Sequence, residues 1–315
     1  MAFMTIIIVS WNAKKYLEEC LDSIINHSLP NGTEIIVVDN ASSDGSPDAV
    51  RDAFPGVRLI RNDDNYGFAK ANNIGIAAST GEYVFFINSD VVVKAGCFEK
   101  MISYMDGHQD IGVLGPRILG TNGAVQRSCM GFPTLWNSLC RALALDLIFP
   151  GTKLFGGEMM AYWPHDDIRS VDVINGCFWM VRRKALQAAG PLDERFFIYG
   201  EDIDWCKRFH DKGWEVVFYP EAEAVHYGGA SSANAPMKFF IEMQRADYQY
   251  WKKHHTAPAS TTFLFIRILH HAVRFAGGIV SYPFRRKKRP EALYKIKRSL
   301  ASIKWSLNFL ITPQR

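Results

Sequence analysis

The feature that most constrains this chain is an alternation filling roughly its first ninety residues. Short, nearly continuous Ile/Val runs are separated by stretches with helical spacing of apolar residues. Residues 5–10, 34–39, 57–60 and 83–87 read as strands. Between them, residues 14–25 carry Leu17, Cys20, Leu21, Ile24 and Ile25 at helical intervals, residues 46–54 hold Pro47 in a first turn, and residues 69–79 read as a third helix. Strands apolar on both faces, with helices between them, predict an α/β fold with a parallel sheet covered on both sides. Ligands bind such sheets beyond the carboxyl ends of the strands. Polar residues gather at those ends: Ser10 and Asn12, Asp39 and Asn40, Asn65, then Asn88, Ser89 and Asp90. Alone, the run from Asp39 to Gly45 reads equally as a turn followed by a helix cap. Four strand ends converging on one cleft favour a binding site.

Chemistry concentrates further along. Phe196-Phe197-Ile198-Tyr199-Gly200 leads into Glu201-Asp202-Ile203-Asp204, three carboxylates in four residues. Trp214 follows, then a strand over 215–219, then His226 beside Tyr227-Gly228-Gly229. The chain thus offers an acid for a metal (Asp90), an acid cluster for a base, and a histidine able to join either. A bland reading of the cluster is a set of acids complementing a helix dipole. Asp204 and Arg208, spaced i, i+4, are expected to form a surface pair. Trp179 suits either stacking on a sugar or the core. Residues 120–172 look irregular and read as acceptor-side structure.

Other classes are disfavoured. No G-x-G-x-x-G follows the first strand and no P-loop motif occurs, so neither a dinucleotide dehydrogenase nor a P-loop enzyme is supported. The six cysteines form no C-x-x-C pair, which argues against zinc ribbons and redox motifs. The first ten residues lack a basic n-region and cleavage site, so a reducing cytoplasm with free thiols is expected.

The segments Ile8-Val9-Ser10-Trp11-Asn12, Asp39-Asn40-Ala41-Ser42-Ser43-Asp44-Gly45, Asn65-Tyr66-Gly67-Phe68, Asn88-Ser89-Asp90, Asn175-Gly176-Cys177, Leu192-Asp193-Glu194-Arg195-Phe196, Glu201-Asp202-Ile203-Asp204 and Val225-His226-Tyr227-Gly228-Gly229 fall in the order seen in family 2 glycosyltransferases. Over residues 4–232 the chain most resembles the rhamnosyltransferase branch, whose members build bacterial surface polysaccharides. The resemblance implies a GT-A fold across residues 1–259, with a donor-binding half of about 1–116 and an acceptor half of about 117–259. It also implies an inverting transfer, with dTDP-L-rhamnose as first donor and a UDP-sugar as second. Asp202 stands at the position of the family's general base, with Glu201 as its neighbour. Asp90 stands at the last acid of the D-x-D-like motif, here Asn88-Ser89-Asp90 without the first acid, and His226 at the late histidine that reaches the metal or the diphosphate. Mg²⁺ or Mn²⁺ suits such oxygen ligands. Ser10, Asn12, Asp39 and Asn40 would face the nucleoside, with Asn65, Gly67 and Asn73 shaping the next loop and Asn88 and Ser89 beside the diphosphate.

The tail adds a separate expectation. Residues 260–315 hold twelve Lys or Arg and one acid, net +11, against −7 for the rest. In residues 261–276 the polar Arg267, His270, His271 and Arg274 share one helical face. Leu293, Ile296, Leu300, Ile303, Leu307 and Leu310 mark a second helix, with a basic run, Arg285-Arg286-Lys287-Lys288-Arg289, between the two. The charges are expected to interrupt any run of the ~20 apolar residues a spanning helix needs. A basic amphipathic extension suits an anionic membrane surface. The competing reading is a hairpin packed on the body or on a second subunit, giving a homodimer. No nucleic-acid module appears, so nucleic acid is not expected as a partner. The expected enzyme is cytoplasmic, at the inner membrane face, using a lipid-linked saccharide acceptor. The alternatives are a UDP-hexose transferase acting on a soluble or protein acceptor, and a catalytically silent saccharide-binding subunit.

Overall fold

The computed structural model describes residues 3–26, 29–229, 235–284 and 289–311. In chain order the elements are β1 (Met4–Ser10), α1 (Lys14–Ile25), β2 (Glu34–Asp39), α2 (Ser46–Ala53), β3 (Arg58–Arg61), α3 (Gly67–Ala78), β4 (Tyr83–Asn88), β5 (Val91–Val93), α4 (Cys97–Gly107), β6 (Ile111–Leu119), β7 (Val125–Gln126), β8 (Cys129–Met130), α5 (Leu135–Ala142), α6 (Leu145–Ile148), α7 (Lys153–Gly156), β9 (Arg169–Ser170), β10 (Val173–Ile174), β11 (Phe178–Arg182), α8 (Arg183–Ala189), α9 (Glu201–Asp211), β12 (Glu215–His226), α10 (Pro236–His254), α11 (Ala257–Ser281) and α12 (Arg289–Ile311). They form two compact units. One comprises residues 1–131 and 164–234, the other residues 132–163 and 235–315.

The first unit is built on a ten-stranded sheet ordered β3-β2-β1-β4-β11-β6-β12-β5, with β7 on β6 and β9 on β12. β3, β2, β1 and β4 pair in parallel, as their double-sided apolar sequences predict. β11 enters antiparallel between β4 and β6. Ile6, Ile8, Val37 and Phe85 lie in the main core, and Ile36 and Val38 face a smaller cluster beneath α3. The register pairs Ser10 with Asp39 and Val9 with Asn88, so the polar strand ends share one edge.

Several expectations are corrected. β12 does not stop at Tyr219. A register shift between Tyr219 and Glu223 absorbs Pro220, and the strand runs on to pair His226 with Val91. Residues 120–172 hold β7, β8, β9 and three short helices. Trp179 is core, its indole N–H donating to the Ile174 carbonyl. Asp204 is fully buried rather than at the surface, and Arg208 reaches it from Nε at 3.0 Å while also donating to the Ala189 carbonyl at 2.6 Å. All six cysteines are buried, and none is in a disulfide.

The second unit is helical. α11 packs against α12, α10 and α5. The polar stripe on α11 is turned inward at Arg267 and His271 and half-buried at His270 and Arg274. Arg267 is 6% exposed, donates to the Gln244 carbonyl at 2.5 Å and pairs with Asp247 at 3.2 Å, and His271 is buried too. α12 is inverted likewise, with Ser299, Ser302 and Ser306 buried and Leu293, Leu300 and Leu307 exposed. The charges do not break α11. It runs 25 residues and is long and apolar enough to cross a membrane by length and composition. Residues 285–288 of the basic run lie outside the described residues.

One glycine in the first unit couples its parts. Gly67 opens α3 at φ +82°, and a β-carbon there would collide with the Phe197 carbonyl oxygen, which accepts from the Phe68 N–H at 2.6 Å. Gly67→Ala should therefore lower stability by about 3 kcal/mol, read by denaturant unfolding, and should loosen the loop leading to Asp202.

Candidate active site

The donor edge begins where β1 and β2 end. Ser10 is buried and its hydroxyl has no partner. Across the register, Asp39 is buried, with Oδ2 accepting from the Ser42 N–H at 3.0 Å and Oδ1 unpartnered. Leaving such groups unmade costs about 1–3 kcal/mol each, a penalty that a ligand hydroxyl or ring N–H would remove. The neighbouring amides are committed within the protein. Asn12, at φ 49°, accepts from the Ser43 N–H, and Asn40 donates to the Gly67 carbonyl and accepts from Asn62. Asn65 accepts from the Gly67 N–H. Asn73 does not face a ligand loop: its amide clasps both the N–H and C=O of Leu192 and reaches Glu194. Ser10 and Asp39 thus present open polar atoms, while the asparagines shape the loops around them.

The turn after β4 carries the next pair. Asn88 donates its N–H to the Cys177 carbonyl, which ties the turn to β11. Ser89 and Asp90 are buried. Asp90 Oδ1 lies 3.2 Å from His226 Nε2, brought there by the extension of β12. A third residue, Gln126 on β7, was not singled out by its sequence context. Its Nε2 donates to the His226 carbonyl at 2.7 Å, which orients the amide, so its Oε1 faces His226 Nδ1 at 3.2 Å. Nδ1 must then carry hydrogen, and Nε2 meets Asp90 either as an imidazolium donor or with a lone pair open to a cation. Among the described residues no group of three or more His, Cys, Asp or Glu side chains is placed to hold a metal ion by itself. One carboxylate and one imidazole nitrogen still fit a divalent ion that completes its shell with diphosphate oxygens and water.

The acid cluster opens α9. Tyr199 (φ 68°) and Gly200 (φ 78°) both adopt left-handed conformations, turning the chain sharply into the helix. Glu201 is 5% exposed and its Oε2 has no partner. Burial, together with the adjacent Asp202 charge, holds its carboxyl well above the usual carboxylate range. Glu201 therefore holds its proton to higher pH than a free glutamate does. Asp202 is half-buried, and its Oδ1 accepts from the Ile203 N–H at 2.8 Å. Burial pushes the Cys177 thiol up, and the charges of Asp90 and then Asp202 add to it.

Two outcomes follow from this geometry. Gln126→Leu should weaken Mn²⁺ binding about 10–100-fold, read by calorimetry, with the fold unchanged by circular dichroism. For Glu201, the folded state retains a proton that the unfolded chain releases, so its contribution to stability falls as pH rises above the ordinary glutamate range. Glu201→Gln should remove that slope and raise the melting temperature at pH 8 more than at pH 5, measured by thermal unfolding.

Comparisons with known proteins give the family and the fold. Residues 5–189 match the family model "Glycosyl transferase family 2". The chain is 27% identical over 267 residues, 80% of its length and 85% of the relative's, to the N-acetylglucosaminyl-diphospho-decaprenol L-rhamnosyltransferase of Mycobacterium tuberculosis. It is 24% identical over 228 residues, 71% of its length and 66% of the relative's, to the glycosyltransferase AglE of Haloferax volcanii. In fold it is similar to the mannosyltransferase PcManGT of Pyrobaculum calidifontis, solved with GDP-Man and Mn²⁺ (TM-score 0.57, 18% identity, 96% of this chain and 87% of that one). It is also similar to residues 1–349 of S. aureus TarS, solved with UDP (TM-score 0.53, 15% identity, 100% and 92%). The fold is thus of the GT-A type. Since the family match takes in Ser10, Asp39, Asp90 and Cys177 and covers more than half of the sequence, the chain belongs to glycosyl transferase family 2 and is a glycosyltransferase.

Proposed function

We propose that the protein transfers L-rhamnose from dTDP-L-rhamnose to a lipid-linked saccharide by a single inverting displacement, at the cytoplasmic face of a membrane during surface polysaccharide synthesis. The observation that carries the mechanism is the pair of carboxylates, Asp90 held 3.2 Å from His226 and Asp202 half-buried in the first turn of α9. The name of the mycobacterial relative supports the donor sugar and the lipid diphosphate acceptor.

In this reading residues 1–116 hold the donor, with Ser10 and Asp39 accepting or donating to its base and ribose. Residues 117–259 serve the acceptor, and residues 260–315 belong to the helical unit with 132–163 and 235–259. An acceptor hydroxyl oxygen attacks the anomeric carbon as the bond from that carbon to the phosphate oxygen breaks. The hydroxyl proton passes to Asp202, and the bonding electron pair leaves on the nucleoside diphosphate. A β-linked L-rhamnose donor then gives an α-linked product. Glu201 is sealed in the interior, so the half-buried Asp202 is the carboxylate of the pair open to an acceptor hydroxyl. Asp90 and His226 would hold a Mg²⁺ or Mn²⁺ ion, which when bound supplies positive charge against the departing diphosphate.

The test is nucleotide release from dTDP- and UDP-sugars, with either metal and a polyprenyl-diphosphate-linked GlcNAc acceptor. Release is expected from dTDP-L-rhamnose and not from UDP-sugars. Asp202→Asn should lower turnover about 10²–10⁴-fold while keeping donor affinity, and Asp90→Asn should raise the metal concentration needed. Turnover of a UDP-sugar alone would overturn the donor assignment, and unchanged turnover in Asp202→Asn would overturn the base.

A further inference from the structure

Two helices of the helical unit turn apolar faces outward while burying polar side chains among aromatic ones. In α11 the side chains turned inward include Arg267 and His271, and those turned outward include Phe265, Leu269, Val273, Ile279 and Val280. At 100° per residue these five positions span one arc of about 120°. The other exposed positions on that arc between residues 265 and 280 are Ala272 and Ala276, so it carries no charge. In α12 the inward side is serine and the outward side holds leucines spaced seven apart, accompanied by the exposed Lys295, Lys297 and Lys304. The segment around α6, in the same unit, adds Leu147 at 72% exposed, Ile148 and Phe149. Polar groups inside and apolar groups outside is the arrangement that lipid, not water, stabilises.

Charge selects the kind of surface. The helical unit has eighteen Lys or Arg against five Asp or Glu, a net +13, whereas the sheet unit has eighteen against twenty-seven, a net −9. Two copies meeting through these helices would bring like charges together, while an anionic lipid surface neutralises them. α12 carries too many cations to cross a bilayer, but a helix in the interface keeps lysines at the headgroups while its apolar face sinks about 5–10 Å.

We propose that the α11–α12 hairpin docks in the plane of an anionic phospholipid leaflet, with the Phe265–Leu269–Val273–Val280 face of α11 immersed in the acyl boundary. The proposal deepens the membrane placement given above and rests on it for the choice of leaflet. Its support, the inverted helices and the segregated charge, is independent of donor and acceptor.

Because every native cysteine is buried, an introduced surface cysteine can be labelled selectively in the folded full chain. Leu269→Cys and Val280→Cys, each carrying an environment-sensitive nitrobenzoxadiazole dye, are compared with Lys15→Cys on the exposed side of α1. On phosphatidylglycerol-containing vesicles the dye at 269 and 280 should shift to the blue and brighten several-fold. It should respond less on pure phosphatidylcholine, and the dye at 15 should not change. Leu269→Glu should reduce the vesicle-bound fraction about tenfold or more and leave turnover of a short, water-soluble acceptor unchanged. That last readout separates loss of docking from failure of the catalytic reading. Identical lipid responses at 269 and 15 would overturn the proposal. So would a blue shift that appears without lipid and grows with protein concentration, which would assign the face to a second copy of the chain.

Discussion

The catalytic half of this molecule depends on one aromatic junction. Trp205 of α9 meets Phe86 of β4 edge-on at 5.2 Å and Trp179 of β11 at 5.3 Å, and Phe209 closes the cluster one turn later at 5.1 Å. Such contacts contribute about 0.5–1.5 kcal/mol each beyond burial. Their larger consequence is placement. The first turn of α9 carries Glu201 and Asp202, so fixing Trp205 against the sheet fixes the height of the acids at its edge. The buried Asp204–Arg208 pair ties the same helix to the end of α8, and the Trp205 indole donates to the Gly190 carbonyl. The helix is held from its interior side, which leaves Asp202 half-buried at the open end.

A second linkage joins donor edge to acid cluster. Asn73 of α3 grips Leu192, and the Phe68 N–H binds the Phe197 carbonyl, so the loop before α9 is laced to the helix that follows β3. Most of the polar residues around the donor edge work at this level. They hold backbone, while the buried open atoms of Ser10 and Asp39 remain for a ligand. Two adjacent carboxyls then differ by environment alone. Glu201, sealed from water, holds its proton more tightly than a free glutamate, and Asp202 reaches partway into solvent at a helix N-terminus.

The helical unit follows a different physics. Its interior is stabilised by satisfied ions and hydrogen bonds, with Arg267 held by Asp247 and the Gln244 carbonyl, and Ser302 donating to the Gln244 side chain. Buried serines let α12 approach its neighbours closely, and the larger apolar groups are left on the surface. These polar contacts share the interior with large apolar side chains, among them Trp251 stacked on Phe263 at 4.7 Å.

Local pattern was enough to determine the parallel β1–β4 arrangement and the strand-end residues Ser10, Asp39 and Asp90. A strand buried on both faces must be continuously apolar, and its polar terminus must lie at the sheet edge. The ordered motifs likewise carried the family from sequence alone. The resemblance set His226 beside Asp90 at one metal, but the route was not legible: the strand read over 215–219, and only the register shift after Tyr219 carries β12 on to His226. Gln126 gave no signal, since its role comes from lying across the sheet from a residue 100 positions away. The inward turn of Arg267 and His271 was hidden for a related reason. Helical periodicity reports which residues share a face, but which face is buried depends on what packs there, and that is decided only when α10, α11 and α12 come together.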